Sequence, residues 1–287
     1  MSAERYGAQV RAIADAVEIV TPELARVTTA AGAVIDVPVA NERGAHLGLA
    51  ETLYGTRYNV LAEPAPPSSA EPQAFAAALA AANAVPQRHQ NGLAVPREMT
   101  TAAGGHYVVL GRAIRNASSG RQVRFYWNLA PEGAVTFVHE LSARLERARI
   151  PFQAKVPVHP LGYARTDTGV VYLDDADVAA AGDALAAVYG ALAGTLRAQV
   201  PLFALSLGPG LAFAESPQNG DSFGMHRCTL IAEGLVRAHA HGAAGEERYA
   251  VMCEPLTEYG LDLARLAFNP HSRYPYRFAE LGAGAAA

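Results

Sequence analysis

The 287-residue sequence has almost no lysine. Lys155 is the only one, and every other residue among its 23 lysines and arginines is arginine. Other scarcities bound the molecule. No run of about 20 apolar residues occurs, so no transmembrane helix is expected. The opening stretch, "MSAERYGAQVRAIADAVEIV", scatters its charges and has no apolar core, so it does not read as a signal peptide. The two cysteines, Cys228 and Cys253, are too few for a disulfide framework and suit a reducing compartment, so a cytoplasmic protein is expected. A net charge of -4 gives no global field toward nucleic acid or an anionic membrane, and neither is expected as a partner. No Walker, Rossmann or GxSxG pattern is present. "HELSAR" (139–144) lacks the second histidine of a zinc protease, and "HAH" (239–241) has no third ligand nearby. No metal and no cofactor are expected.

What is present suffices for a large core: 51% of residues are hydrophobic. Val10, Ile13, Val17 and Val20 recur at helical spacing over 8–20. "AGAVIDVPVA" (31–40) reads as a short strand or turn, and 46–60 and 72–84 as helices. "EPAPPSSAEP" (63–72) reads as a linker, and 83–96 as loop. Beyond residue 100 the texture changes. Strands are expected at 105–114, 122–130, 151–158 and 169–173, and helices at 132–149, 175–199 and 222–242. The glycine-rich 207–221 reads as an ordered loop, and Ser222 as a helix cap. This order predicts an α+β fold, an antiparallel or mixed sheet with packed helices. Residues 1–100 read as a mainly helical region packed on a core at 101–280, and 281–287 as a disordered tail.

Lys155 lies in "IPFQAKVPVHP" (150–160), in a strand where Gln153 and Lys155 point to one side and Phe152 and Ala154 to the other. Arginine-rich, lysine-poor coding is a background bias, so the exception is what needs a reason. An exposed edge-strand lysine is the plain alternative. Arginine matches lysine in charge but cannot lose its proton. A position that must be lysine is therefore one where the amine acts neutral: general base, nucleophile or Schiff base. Arg124 and Arg165 fall in or beside strands of the same sheet. Arg227 falls near the start of the helix capped by Ser222, a position suited to an anion. Phosphate is the obvious ligand for such arginines. One lysine base among arginines suggests β-elimination of phosphate, with His226 or His106 to protonate the leaving oxygen.

The stretches "RFYWNL", "IPFQAKV", "YARTDTGVVYL", "LGPGLAFAESP" and "SFGMHRCTLIAEG" together resemble the HopA-type effector family, from about residue 105 to 240. Members of that family occur as type III effectors of plant-pathogenic bacteria and as proteins encoded with ribosomally made peptides. The resemblance implies a fold like the OspF and SpvC phosphothreonine lyases. It also implies a lyase acting on phosphoserine or phosphothreonine, as in class V lanthipeptide and thioamitide biosynthesis. There a separate kinase-like protein phosphorylates a precursor peptide, and the HopA-type partner eliminates phosphate to leave dehydroalanine or dehydrobutyrine. On this reading Lys155, His106 and His226 are catalytic candidates, and Arg124, Arg165 and Arg227 bind phosphate. Tyr126, Asn128 and Tyr163 bind substrate. A non-catalytic peptide-binding partner of the kinase and a host-targeting effector are the alternatives.

Overall fold

The chain opens with α1 (Ser2–Asp15), followed by β1 (Val17–Thr21), β2 (Leu24–Thr28), β3 (Val34–Pro38) and α2 (Leu47–Leu53). Then come α3 (Pro72–Ala82), β4 (Arg88–Gln90), β5 (Leu93–Val95), β6 (Glu98–Thr100), β7 (His106–Leu110) and β8 (Gln122–Trp127). After α4 (Pro131–Arg147) come β9 (Gln153–Pro157), β10 (Gly169–Asp174), α5 (Val178–Ala191), β11 (Leu205–Gly208) and β12 (Leu211–Glu215). The helices α6 (Phe223–Ala240) and α7 (Gly245–Glu258) complete the set. This computed structural model describes residues 2–61, 71–101, 105–111 and 121–278. Most of the expected linker and the whole expected tail lie outside those residues. The fold is α+β with antiparallel sheets and packed helices.

The division at residue 100 expected from composition is not the one the contacts make. One compact unit gathers residues 1–62, 201–204 and 215–272, and the other gathers 63–200, 205–214 and 273–287. In the first unit, α1 buries Tyr6, Val10 and Ile13 at helical spacing. That helix stops sooner than its periodicity suggests. Val17–Thr21 is β-branched and alternating, and it pairs antiparallel with β2, burying Val17 and Ile19. The N-terminal region is therefore not mainly helical: β1, β2 and β3 form a three-stranded sheet. Ser222 caps α6, its hydroxyl accepting from Met225 N at 3.2 Å. A methyl group at Gly234 would lie 2.1 Å from the Met252 carbonyl oxygen, so a glycine lets α6 and α7 pack backbone to backbone.

The second unit is built on a seven-stranded sheet, ordered β11-β12-β8-β10-β9-β7-β6. One face buries Phe125, Trp127, Ala154, Val156, Val171 and Leu173. Phe137, Val138 and Leu141 of α4 lie against Ala154 and Val156. Two hairpins replace expected loops. Asn91 and Gly92 both take positive φ (52° and 79°), the two-residue turn that joins β4 to β5. Gly210, at φ 72°, turns β11 back into β12. The helix expected over 175–199 ends at Ala191, because the segment after it makes other bonds. Leu196 bridges to Leu129, and Arg197 N donates to Asn128 O at 2.9 Å.

Candidate active site

Strand register assembles the candidate site in the second unit. Lys155 pairs with Val108 of β7 on one side and with Val170 of β10 on the other, and Val170 pairs with Tyr126 of β8. Directly paired residues share a face, so Val108, Lys155, Val170 and Tyr126 form one row across four strands. The next row, two residues along, is Leu110, Gln153, Tyr172 and Arg124. In the other direction His106 pairs with Pro157. Ala154 and Val156 are buried on the opposite, helix-covered face, as the alternation around Lys155 predicts. Lys155, His106, Arg124 and Tyr126 therefore belong to one face, although β10 and β9 lie between β8 and β7 in the sheet.

Lys155 stands between the others. His106 and Lys155 are diagonal neighbours on adjacent strands, a relation that sets them roughly 7–8 Å apart. Tyr126 lies two strands from Lys155, about 9.5 Å across, and Arg124 two residues further along, on the side away from His106. Long lysine and arginine side chains extend over part of that face, toward a ligand near Lys155. Arg124 is buried, with its guanidinium 5.4 Å from the centre of the Tyr172 ring. Arg165 follows a short helical turn at Pro160–Tyr163, and its Nε and Nη2 donate to the carboxylate of Asp167. That pair fixes the orientation of the guanidinium. The His106 imidazole is held down to about 4, by burial first and then by the charges of Lys155 and Arg165, with Asp167 opposing. His106 is thus within electrostatic reach of both cations and is neutral at pH 7. A shallow cleft of about 270 Å³, lined by Gly105, His106, Pro157, Leu161, Gly162, Ala164 and Arg165, opens beside it.

Four expected site residues have other surroundings. Arg227 is fully buried in the first unit, in the second turn of α6. Its Nε donates to Leu266 O (3.0 Å), and its Nη2 to Phe268 O (3.2 Å) and Asn269 Oδ1 (3.1 Å). Its Nη1 lies 2.8 Å from His226 Nδ1. These bonds hold a carbonyl-lined turn, and the guanidinium does not face outward as a phosphate ligand. His226 is buried, edge-on to Tyr259 at 4.4 Å between ring centres. Asn128 is buried and clamps 199 through Nδ2 to Gln199 O at 2.8 Å. Tyr163 is buried, its hydroxyl donating to Pro157 O at 3.1 Å, and burial pushes that phenol well up. Asn128 and Tyr163 shape the unit and do not line its polar face.

Gln153 shares that face, as the alternation predicts, and so does one residue the motif reading missed, Tyr172. Its signal was available: it stands two residues from Val170 of the Lys155 row, which in a strand means the same side. Among the described residues no group of three or more His, Cys, Asp or Glu is placed to hold a metal ion, and no helix is long and apolar enough to cross a membrane.

The His226 imidazole is lowered to about 4, by burial and then by Arg227. The sign follows. A histidine whose folded value lies below its ordinary 6.5 binds fewer protons folded than unfolded. Its contribution is complete above pH 6.5 and is lost as the pH falls toward 4. Urea midpoints at pH 7 and pH 5 are expected to drop for the wild type, and to drop less for His226→Gln. Equal drops would mean that His226 charges without cost in the fold.

The model of the HopA1 effector protein family matches residues 98–268. Among solved structures, the effector protein from Pseudomonas syringae pv. tomato strain DC3000 is similar with a TM-score of 0.53 and 20% identity, over 72% of this chain and 85% of that one. The effector protein from Pseudomonas syringae pv. syringae strain 61 is similar with a TM-score of 0.60 and 16% identity, over 93% of this chain and 98% of that one. At such identities the likeness to these structures is one of fold. The comparison with curated proteins gives no match.

Proposed function

This chain belongs to the HopA1 effector protein family, and from that premise we propose that it eliminates phosphate from phosphoserine or phosphothreonine in a peptide. The observation that carries the reading is the row through Lys155. The single lysine of an arginine-rich chain stands on the same sheet face as Arg124, Tyr126 and His106. Arg124 and Arg165 would bind the phosphate dianion, and Tyr126 would line its approach. The Lys155 amine takes the proton from Cα. The electrons of that C–H bond form the Cα=Cβ double bond, and the Cβ–O bond breaks toward phosphorus. The bridging oxygen leaves with the phosphate and takes a proton from His106. Lysine gains one proton and histidine gives one, so the step balances without a redox partner.

His106 is neutral in the free protein because burial, and then the charges of Lys155 and Arg165, disfavour its charged form. A bound dianion opposes those charges and favours the protonated form. The acid would therefore be charged only when substrate is present. His106 meets this role better than His226, whose Nδ1 is engaged by Arg227.

In this reading the substrate is a ribosomal precursor peptide. A kinase-like protein encoded nearby would phosphorylate it, and the products are dehydroalanine and dehydrobutyrine. The similar solved structures are effector proteins from Pseudomonas syringae, which supports a second setting for the same chemistry, a phosphorylated host protein. Mass spectrometry of a phosphothreonine peptide incubated with the protein tests the reaction. Loss of the mass of one phosphoric acid is expected. Restoration of the free hydroxyl would reveal a phosphatase, and an unchanged but bound peptide would leave only a docking module. Genes for a kinase-like protein and a short Ser/Thr/Cys-rich peptide beside this one decide between the two settings.

A further inference from the structure

The elimination uses His106 and Arg165 of the cleft and leaves the rest of its lining without a role. That rest is apolar: Pro157, Leu161, Gly162, Ala164 and Gly105. Leu161 is 84% exposed at its border, an apolar side chain held out to solvent. Its volume, about 270 Å³, falls just below the usual range for small-molecule pockets, roughly 300–1,000 Å³, and suits one side chain.

Its position relative to Lys155 sets what would occupy it. Pro157 lies two residues beyond Lys155 on β9, so the two leave the same face roughly 6.5–7 Å apart. In an extended peptide, side chains two residues apart repeat the same spacing on the same side. A peptide lying along β9 with its phosphorylated residue over Lys155 therefore brings the side chain two positions away over Pro157.

From this we infer that the cleft is a specificity subsite: it takes an apolar side chain two residues from the phosphorylated one. This rests on the phosphopeptide reading of the site. Charge divides the labour. Arg165 attracts phosphate, and the apolar lining has nothing to offer a charged or strongly hydrated neighbour. Peptides carrying aspartate at that position are penalised for the same reason.

The test uses the Lys155→Arg protein, so that bound peptides stay intact. Fluorescence anisotropy is measured for phosphothreonine peptides bearing leucine or alanine two positions before, or two positions after, the phosphorylated residue. Leucine at one of those positions is expected to bind about ten-fold tighter than alanine, the effect of burying most of one aliphatic side chain. A Cβ built at Gly105, in the lining of the cleft, meets no atom within 4 Å, so there is room for a side chain to start there, and Gly105→Leu is expected to bring the ratio toward one. Leu161→Ser, at an exposed position where folding is not at stake, is expected to reduce the ratio. Equal binding of leucine and alanine peptides at both positions overturns the inference, as does a ratio unchanged by both variants. The lyase reading is judged separately, by phosphate loss with the wild type. A leucine preference without phosphate loss keeps the subsite and removes the chemistry.

Discussion

Replacing Lys155 with arginine is expected to slow phosphate elimination by about 10²–10⁴-fold, the range general-base catalysis contributes. That corresponds to roughly 3–5 kcal/mol of transition-state stabilisation. Phosphopeptide affinity should change by no more than about three-fold, because arginine keeps the positive charge that attracts the dianion. The split between rate and binding is the point of the variant. A lysine that only holds phosphate would be replaced well by arginine, which binds phosphate at least as readily. Lysine that removes a proton has no substitute in a guanidinium. Retention of the rate within ten-fold of wild type would remove Lys155 from the reaction. A chemical complement is available. Lys155→Cys alkylated with 2-bromoethylamine rebuilds an amine of nearly the same reach, and recovery of elimination is expected. Both native cysteines, Cys228 and Cys253, are buried, which directs the reagent to position 155. Burial also pushes both thiols up, so they stay protonated and unreactive.

Much of this site was legible because strand alternation is a strong local rule. It puts Gln153 and Lys155 on one side of β9 from sequence alone, and the buried Ala154 and Val156 agree. Which other strands flank β9 is not local. β9 lies between β7 and β10, and β10 lies between β9 and β8. That Lys155 and Tyr126 share a row depends on that order and on register, which no spacing within a segment encodes. Motif reading also misjudged Arg227, because it weighs residue type and not burial. Arg227 after a well-formed cap reads as an anion site, yet the turn at Leu266–Asn269, about 40 residues away, supplies the acceptors that absorb it. The overlooked hairpins fail for a different reason. Asn91-Gly92 is a strong turn signal, but the strands it joins are only three residues long and carry little alternation to mark them. The early end of α1 is a contest between two local preferences, and pairing with β2 decides it.

Arg227 gives the second large effect, on stability. Its guanidinium is wholly buried and stands over the Phe223 ring at 4.8 Å. Methionine has a similar length and would fill much of the space, so the loss isolates the polar contacts. Leu266 O, Phe268 O, Asn269 Oδ1 and His226 Nδ1 would each lose a donor in a dry interior. Unpaired buried acceptors cost about 1–3 kcal/mol each, and removing one partner of a buried charged cluster costs about 3–5 kcal/mol in all. Arg227→Met is therefore expected to lower stability by about 3–5 kcal/mol, a large share of what holds a domain together. Arg227→Lys should fall between, since one ammonium cannot reach all four acceptors. Far-UV circular dichroism is the appropriate probe. The sole tryptophan, Trp127, is in β8 of the other unit, and its fluorescence would follow the wrong part of the chain. The same sample separates structure from binding. At low temperature, where the variant remains folded, its phosphopeptide affinity should match wild type within about two-fold, as for a site that has lost no direct contact. A ten-fold loss of affinity in folded Arg227→Met, with little loss of stability, would return Arg227 to the phosphate site that its place on α6 first suggested.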